Sequence, residues 1–248
     1  MPHFDIIGDV HGCYAELLEL LHALGYTYDG QTLAAPPHRQ VVWVGDLTDR
    51  GPDSPAVLRL VQQAVAAGVG LCVCGNHDDK LHRYLKGNKV TLSHGLELTA
   101  AQLAGESEAF RVQCCHFLGE LPDYLSLDSG KLIVAHAGLP EQYHGKQGAF
   151  VRSICLYGLT TGERDSDDLP VRKHWARDYA GQATVVYGHT PIVAAEWCNN
   201  ALNIDTGCVF GGSLTALRYP EMTLVTVPCR AQYAVPRKLM GTLSQQLF

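Results

Sequence analysis

Three short apolar runs in this chain end alike. Ile6-Ile7-Gly8 is followed by Asp9, Val42-Trp43-Val44-Gly45 by Asp46, and Cys72-Val73-Cys74-Gly75 by Asn76. Such runs read as short strands, and glycine lets the backbone turn sharply or approach a ligand closely as it leaves a sheet. After the first run, Tyr14, Leu17, Leu18, Leu21 and Leu24 recur at helical spacing, with Gly25 as the stop. After the second, Ser54 as N-cap and Pro55 in the first turn open a helix lined by Val57, Leu58, Val61, Ala64 and Val65, which Gly68 ends. The first third therefore reads β-α-β-α-β, with Phe4–Ile7, Val41–Val44 and Val69–Cys74 as parallel strands joined by crossover helices. The residue after each glycine then projects an oxygen ligand at the carboxyl edge, where open α/β sheets place their sites.

Two later runs finish in histidine: Ile133-Val134-Ala135-His136 and Val185-Val186-Tyr187-Gly188-His189. His11 lies two positions beyond Asp9. Asp9, His11, Asp46, Asn76, His136 and His189 form a mixed oxygen and imidazole set, which suits manganese, iron or zinc better than calcium. Six side chains exceed what one catalytic ion with an open position needs. They suit two ions about 3.5–4 Å apart with a carboxylate between them. A lone aspartate after a strand is usually a turn residue, and a lone histidine there is usually packed; five strand ends delivering such residues together are a different matter. Beside them, His77 is placed to donate a proton to a departing oxygen, and Asp49 to hold that imidazole by one nitrogen. Arg50 offers a planar fork for two phosphate oxygens.

Between Leu81 and Leu118 the pattern is helical, over Leu81–Lys86, Leu96–Leu103 and Phe110–Leu118. Short strands follow at Tyr124–Leu127, Lys131–Ala135, Thr184–Tyr187, Leu202–Ile204, Leu214–Arg218 and Thr223–Val227. A polar insert over residues 145–181, containing Gly162-Glu163-Arg164-Asp165-Ser166-Asp167-Asp168, reads as a lid or as a plain surface loop. No repeat, low-complexity tract or linker breaks the 248 residues, so one domain over 1–248 is expected. A net charge of −6 argues against a global field for nucleic acid, with Lys80, Arg83, Lys86 and Lys89 the one dense basic run. The nine cysteines lack paired CxxC spacing and read as reduced thiols. No segment is apolar enough to span a bilayer, and Met-Pro-His-Phe-Asp lacks the features of a signal peptide; a cytoplasmic protein is expected.

Gly8-Asp9-Val10-His11-Gly12, Gly45-Asp46-Leu47-Thr48-Asp49-Arg50-Gly51 and Gly75-Asn76-His77-Asp78 resemble the three signatures of the phosphoprotein-phosphatase branch of calcineurin-like metallophosphoesterases. His136-Ala137-Gly138 and Gly188-His189-Thr190 are similar to its later signatures, in the same order, so the resemblance covers nearly the whole chain. It implies an α/β fold of four layers, a two-layered β-sandwich flanked by helices, with a dimetal site along one edge. It implies that Asp9, His11 and Asp46 hold one ion, and Asp46, Asn76, His136 and His189 the other, with Asp46 bridging. Manganese is the first choice of metal, with iron, zinc, nickel or cobalt as alternatives. His77 with Asp49 would assist the leaving group, Arg50 would bind phosphate, and metal-activated water would attack in line without a covalent phosphoenzyme.

Asp78 stands where the eukaryotic protein phosphatases usually carry glutamate. Within the family, Leu85–Val90, Ser93–Leu96, Leu156–Glu163 and Ile204–Gly212 look like the phosphatase domain of bacterial polynucleotide kinase-phosphatase. Related bacterial enzymes cleave diadenosine tetraphosphate symmetrically. No GxxxxGK[ST] loop occurs, so the kinase half of the multi-domain enzyme is not expected. The resemblance leaves three substrate classes: nucleotides of the dinucleoside polyphosphate type, nucleic-acid 2′/3′ ends and phosphoproteins. The oligomeric state is left open. Asp205, after the Leu202–Ile204 strand, is expected beside the metals or in a turn, and His94 in a supporting place.

Overall fold

A computed structural model describes residues 3–164, 170–236 and 240–241. The first part runs β1 (His3–Ile7), α1 (Tyr14–Ala23), the short hairpin β2 (Thr27–Tyr28) and β3 (Leu33–Ala34), β4 (Arg39–Trp43), α2 (Ser54–Ala66) and β5 (Gly70–Cys72). Three helices follow, α3 (Asn76–Leu85), α4 (Leu96–Ala104) and α5 (Glu108–Glu120), then β6 (Tyr124–Leu127), β7 (Leu132–Ala135) and α6 (Ala149–Tyr157). The rest is β8 (Thr160–Arg164), β9 (Pro170–Arg172), β10 (Thr184–Tyr187), β11 (Glu196–Cys198), β12 (Ala201–Asn203), β13 (Ser213–Tyr219) and β14 (Thr223–Pro228).

Two five-stranded sheets carry the fold, ordered β14-β13-β1-β4-β5 and β11-β12-β10-β7-β6. In the first, β1, β4 and β5 are parallel, as the sequence predicts. In the second, β7, β10 and β12 are parallel, with β6 and β11 antiparallel at the edges. Side chains alternate faces along a strand. Ile6, Val42, Leu132, Val134, Val186 and Leu202 therefore meet in one apolar layer between the sheets. Their neighbours point outward: Ile7, Val41 and Trp43 pack against α1 and α2, while Ile133, Val185 and Tyr187 pack with residues of α6 and with Trp175. The result is the four-layer α/β/β/α arrangement that the resemblance implies.

Asp5, fully buried on β1, accepts from Arg39 Nε and Nη2 at 2.9 and 3.0 Å, from Arg218 Nε at 3.0 Å and from Tyr26 Oη at 3.0 Å. This network ties β1 to β4 and β13 near the amino-terminal start of β1. Among the described residues no helix is long and apolar enough to cross a membrane. All nine cysteines stand as free thiols.

Several local expectations are corrected. Asp53, not Ser54, caps α2: its Oδ1 accepts from Ala56 N at 3.0 Å, leaving the Ser54 hydroxyl for the turn at Asp49. α3 begins at Asn76 rather than Leu81, because its first turn is polar and faces the site instead of the core. The insert over 145–181 contains α6 and the β8–β9 hairpin, and its stretch 165–169 lies outside the described residues.

Candidate active site

The carboxyl ends of β1, β4, β5, β7 and β10 bring the expected residues to one edge. Close approach explains the glycines. A Cβ on Gly188 would collide with Asp9 Oδ1, and one on Gly75 with Asp46 N and Oδ1. The turns are also conformationally costly. His11, Asp46, Asp49, Arg50, His94 and His189 all have positive φ, between 45° and 77°, a region that non-glycine residues seldom occupy. Bonds from the surroundings hold them there. The buried Asp78 carboxylate accepts from Asp46 N (2.8 Å), Leu47 N (3.0 Å) and Gly75 N (3.0 Å), clamping the ends of β4 and β5 together. Asp49 N donates to Thr99 Oγ1 and Ser54 Oγ.

Asp46 lies at the centre. Its Oδ2 is 3.5 Å from His11 Nε2, its Oδ1 3.4 Å from His136 Nε2, and Oδ1 also accepts from His77 N at 2.9 Å. Two groups of potential ligand atoms share it: His11, Asp46 and His77, and Asp46, His136 and His189. Asp9 accepts from His189 N through both oxygens, and Asn76 Oδ1 lies 3.0 Å from His136 Nε2.

The donor set fits a cation. His11 Nδ1 donates to Thr48 O at 2.7 Å and His136 Nδ1 to Val44 O at 3.1 Å. A carbonyl only accepts, so each imidazole carries its proton on Nδ1 and turns the Nε2 lone pair inward. The His136 lone pair then faces the Asn76 and Asp46 oxygens and His189 Nδ1, the last at 3.0 Å. Lone pairs converging in a buried space repel one another unless a positive charge sits among them. His189 Nε2 is moreover buried without a hydrogen-bond partner.

The electrostatics agree. Burial, with Asp205 and Asp46 as like-charged neighbours, pushes the Asp9 carboxyl well above its usual range. Burial also pushes Asp46 and Asp205 up to about 7. Burial holds His11 and His189 well below the usual imidazole range and His136 down to about 3, so all three are neutral, the form that ligates. Divalent cations reverse the cost of gathering these carboxylates.

A second constellation adjoins the first. His77 Nδ1 lies 2.6 Å from Asp49 Oδ2, and Thr99 Oγ1 donates to Asp49 Oδ1 at 2.7 Å. His77 Nε2 is 2.8 Å from Arg50 Nη2, and His11 Nε2 is 2.6 Å from Arg50 Nη1. Phe210 supports the guanidinium from 5.3 Å. Burial first, then the Arg50 charge, lowers His77. Asp205 accepts from Gly207 N in a turn at 3.0 Å, and its charge bears on Asp9.

The sequence places Asp78 in the third signature without a role, and the structure gives it one in clamping the ends of β4 and β5. Arg172 escapes the sequence altogether: exposed on β9, it donates to Thr190 Oγ1 at 3.0 Å, and its charge reaches Asp46, His136 and His189. Nothing in its local sequence marks it.

The chain belongs to the calcineurin-like phosphoesterase family, whose model matches residues 2–225. Membership makes it a hydrolase of phosphate esters or anhydrides and implies divalent metal ions. It is 48% identical over 231 residues to bis(5′-nucleosyl)-tetraphosphatase PrpE (asymmetrical) of Halalkalibacterium halodurans, covering 92% of this chain and 94% of that protein. It is 45% identical over 238 residues to the protein of the same name from Anoxybacillus flavithermus, covering 94% and 97%. A crystal structure of a candidate diadenosine tetraphosphatase superposes with a TM-score of 0.68 at 29% identity, covering 92% of this chain and 96% of that one. The relatives' names specify asymmetrical cleavage, whereas the likeness in the sequence was to symmetrical enzymes; the reaction class agrees and the position of the cut differs.

Proposed function

We propose that this chain, one domain over 1–248, hydrolyses dinucleoside polyphosphates, breaking a phosphoanhydride with water at a site for two divalent metal ions. The observation that carries the reading is Asp46, set between His11 on one side and His136 on the other with its two oxygens turned to different imidazoles. Asp9, His11 and Asp46 would hold one ion, and Asp46, Asn76, His136 and His189 the other, with Asp205 beside them. The mixed nitrogen and oxygen donors accommodate first-row divalent metals, of which manganese is our first choice and iron, zinc, nickel and cobalt the alternatives. When bound, such ions polarise the phosphoryl oxygens and lower the pKa of water.

The chain's own residues supply the rest. Arg50, and Arg172 whose charge reaches the same ligands, bind non-bridging phosphate oxygens. Asp49 holds His77 by Nδ1, aiming Nε2 at the bridging oxygen that departs with the electron pair. Burial first, and then the Arg50 charge, keeps His77 neutral; a phosphate anion seated on Arg50 offsets the second of these and so favours the imidazolium that passes its proton to the leaving oxygen.

The relatives' names support a dinucleoside tetraphosphate as substrate, cut asymmetrically. The basic run supports a short ligand rather than a long one, since Arg83 Nε is engaged by Asp79 Oδ2 at 3.0 Å and the net charge is −6. The test compares kcat/KM for a dinucleoside tetraphosphate and for a 3′-phosphorylated oligonucleotide from low to moderate salt. The tetraphosphate is expected to be preferred, with a shallow salt dependence. A preference for the oligonucleotide that collapses steeply with salt would replace this reading with one of nucleic-acid end repair.

A further inference from the structure

We propose that Lys80 and His94 form a subsite for the phosphates of a polyanionic leaving group, on the far side of His77 from the attacking water; the inference deepens the reading above and rests on it.

The placement follows from three contacts. His77 and Lys80 lie three residues apart on α3 and share a helical face. Lys80 Nζ donates to Ser93 O at 2.7 Å and to Ser93 Oγ at 3.1 Å, tethering the loop before α4 to α3. Two residues on, Gly95 packs so tightly behind Arg50 that a Cβ there would meet Arg50 Cγ at 2.6 Å. Residues 93–95 are thus wedged between α3 and Arg50. His94, in the middle, is exposed and held in a left-handed conformation with φ of 63°. The charge of Lys80, and that of His94 when its imidazole is protonated, reaches Asp49 and His77.

The chemistry gives this position a use. In an in-line displacement the water oxygen bonds to phosphorus on one side while the bridging bond breaks on the other, and the departing oxygen takes its electron pair and the proton from His77. Whatever leaves therefore lies beyond His77, along the Lys80–Ser93–His94 segment. An alcohol brings no charge there. A nucleoside polyphosphate brings several, and cationic groups must meet them as the bond breaks. The Lys80 ammonium has three N–H donors, of which Ser93 takes two, and no carboxylate lies within ion-pair distance of it among the described residues. Arg83, the next basic residue of the run, is engaged by Asp79. The subsite accordingly favours anhydrides over simple monoesters.

The test uses Lys80→Met, Lys80→Arg and His94→Asn in the full chain, with divalent metal in excess; asparagine tolerates the left-handed backbone. Two quantities are read: kcat/KM for a dinucleoside tetraphosphate relative to an aryl phosphate, and Ki of a nucleoside triphosphate and of inorganic phosphate against aryl phosphate hydrolysis. Lys80→Met is expected to lower the substrate ratio about tenfold and raise the triphosphate Ki about tenfold, the scale of one charge-assisted hydrogen bond, with the phosphate Ki moving far less. Lys80→Arg should restore most of both, and His94→Asn should act in the same direction as Lys80→Met. If Lys80→Met does not fold, His94→Asn carries the comparison alone. Equal losses on both substrates with an unmoved triphosphate Ki would overturn the subsite and leave the two residues as props for the loop. Should the wild-type protein fail on the tetraphosphate while the variants still weaken triphosphate inhibition, the substrate reading falls and the subsite stands. Cleavage of the tetraphosphate by wild type and variants alike has the opposite meaning.

Discussion

Replacing Asp49 by asparagine isolates the role of one buried charge. The carboxylate lies 2.6 Å from His77 Nδ1 and is fully buried, so solvent does little to screen the pair. Asparagine has the same shape, and its carbonyl oxygen still accepts from Thr99 Oγ1, which holds Asp49 Oδ1 at 2.7 Å. The loop should therefore keep its conformation, while the imidazolium of His77 loses its counter-charge. A hydrogen bond to a charged group contributes about 1.5–3 kcal/mol, which corresponds to roughly 10- to 150-fold in rate if the whole of it is felt in the proton transfer. The loss should scale with need. Aryl phosphates whose departing oxygen is a weak base require little proton transfer and should slow least, so a plot of log kcat against leaving-group pKa should steepen in Asp49→Asn. Asp49 acts through His77 in this scheme. The double variant Asp49→Asn/His77→Ala should then be no slower than His77→Ala alone. A uniform loss across all leaving groups, or additive losses in the double variant, would refute the reasoning and place Asp49 among the groups that position metal or phosphate.

Asp46→Asn should leave two ions poorly neutralised and poorly spaced; most bound metal and nearly all turnover should be lost from a folded protein. Elemental analysis finding two tightly held ions, with normal rates, would sink the assignment. Asp5→Ala, in the middle of β1, should remove the buried carboxylate that Arg39 and Arg218 share, leaving Arg39 only Glu221 as a counter-charge. Breaking a buried pair costs about 3–5 kcal/mol, which for a chain of this size lowers Tm by roughly 10 °C. Activity below the transition should be kept, and a Tm shift within about 1 °C would contradict a stabilising network.

Much of this site was legible because its chemistry falls at strand ends. Apolar runs such as Val42-Trp43-Val44 announce strands, and the glycines after them mark where backbones approach closely. The start of α3 was hidden because hydrophobic periodicity reports only the core-facing side, and Asn76, His77 and Asp78 turn to the site. Arg172 was hidden for a related reason: it sits on a small exposed hairpin whose residues show no buried period, and only tertiary folding brings it beside Thr190. The polar insert over 145–181 reads as a lid or a plain surface loop, and its stretch 165–169 lies outside the described residues.

The left-handed backbone at Asp49, Arg50, His94 and His189 has a bearing on how this protein can change over generations. At each of these positions glycine or asparagine would relax the chain, so the resident side chain is kept against a standing pressure from stability. A population screened for heat resistance alone should drift toward glycine and asparagine at 49, 50, 94 and 189, becoming sturdier as it falls silent. Copies released from selection for hydrolysis should bear the same scars first, and their sequences would record which turns were held only for the sake of the reaction.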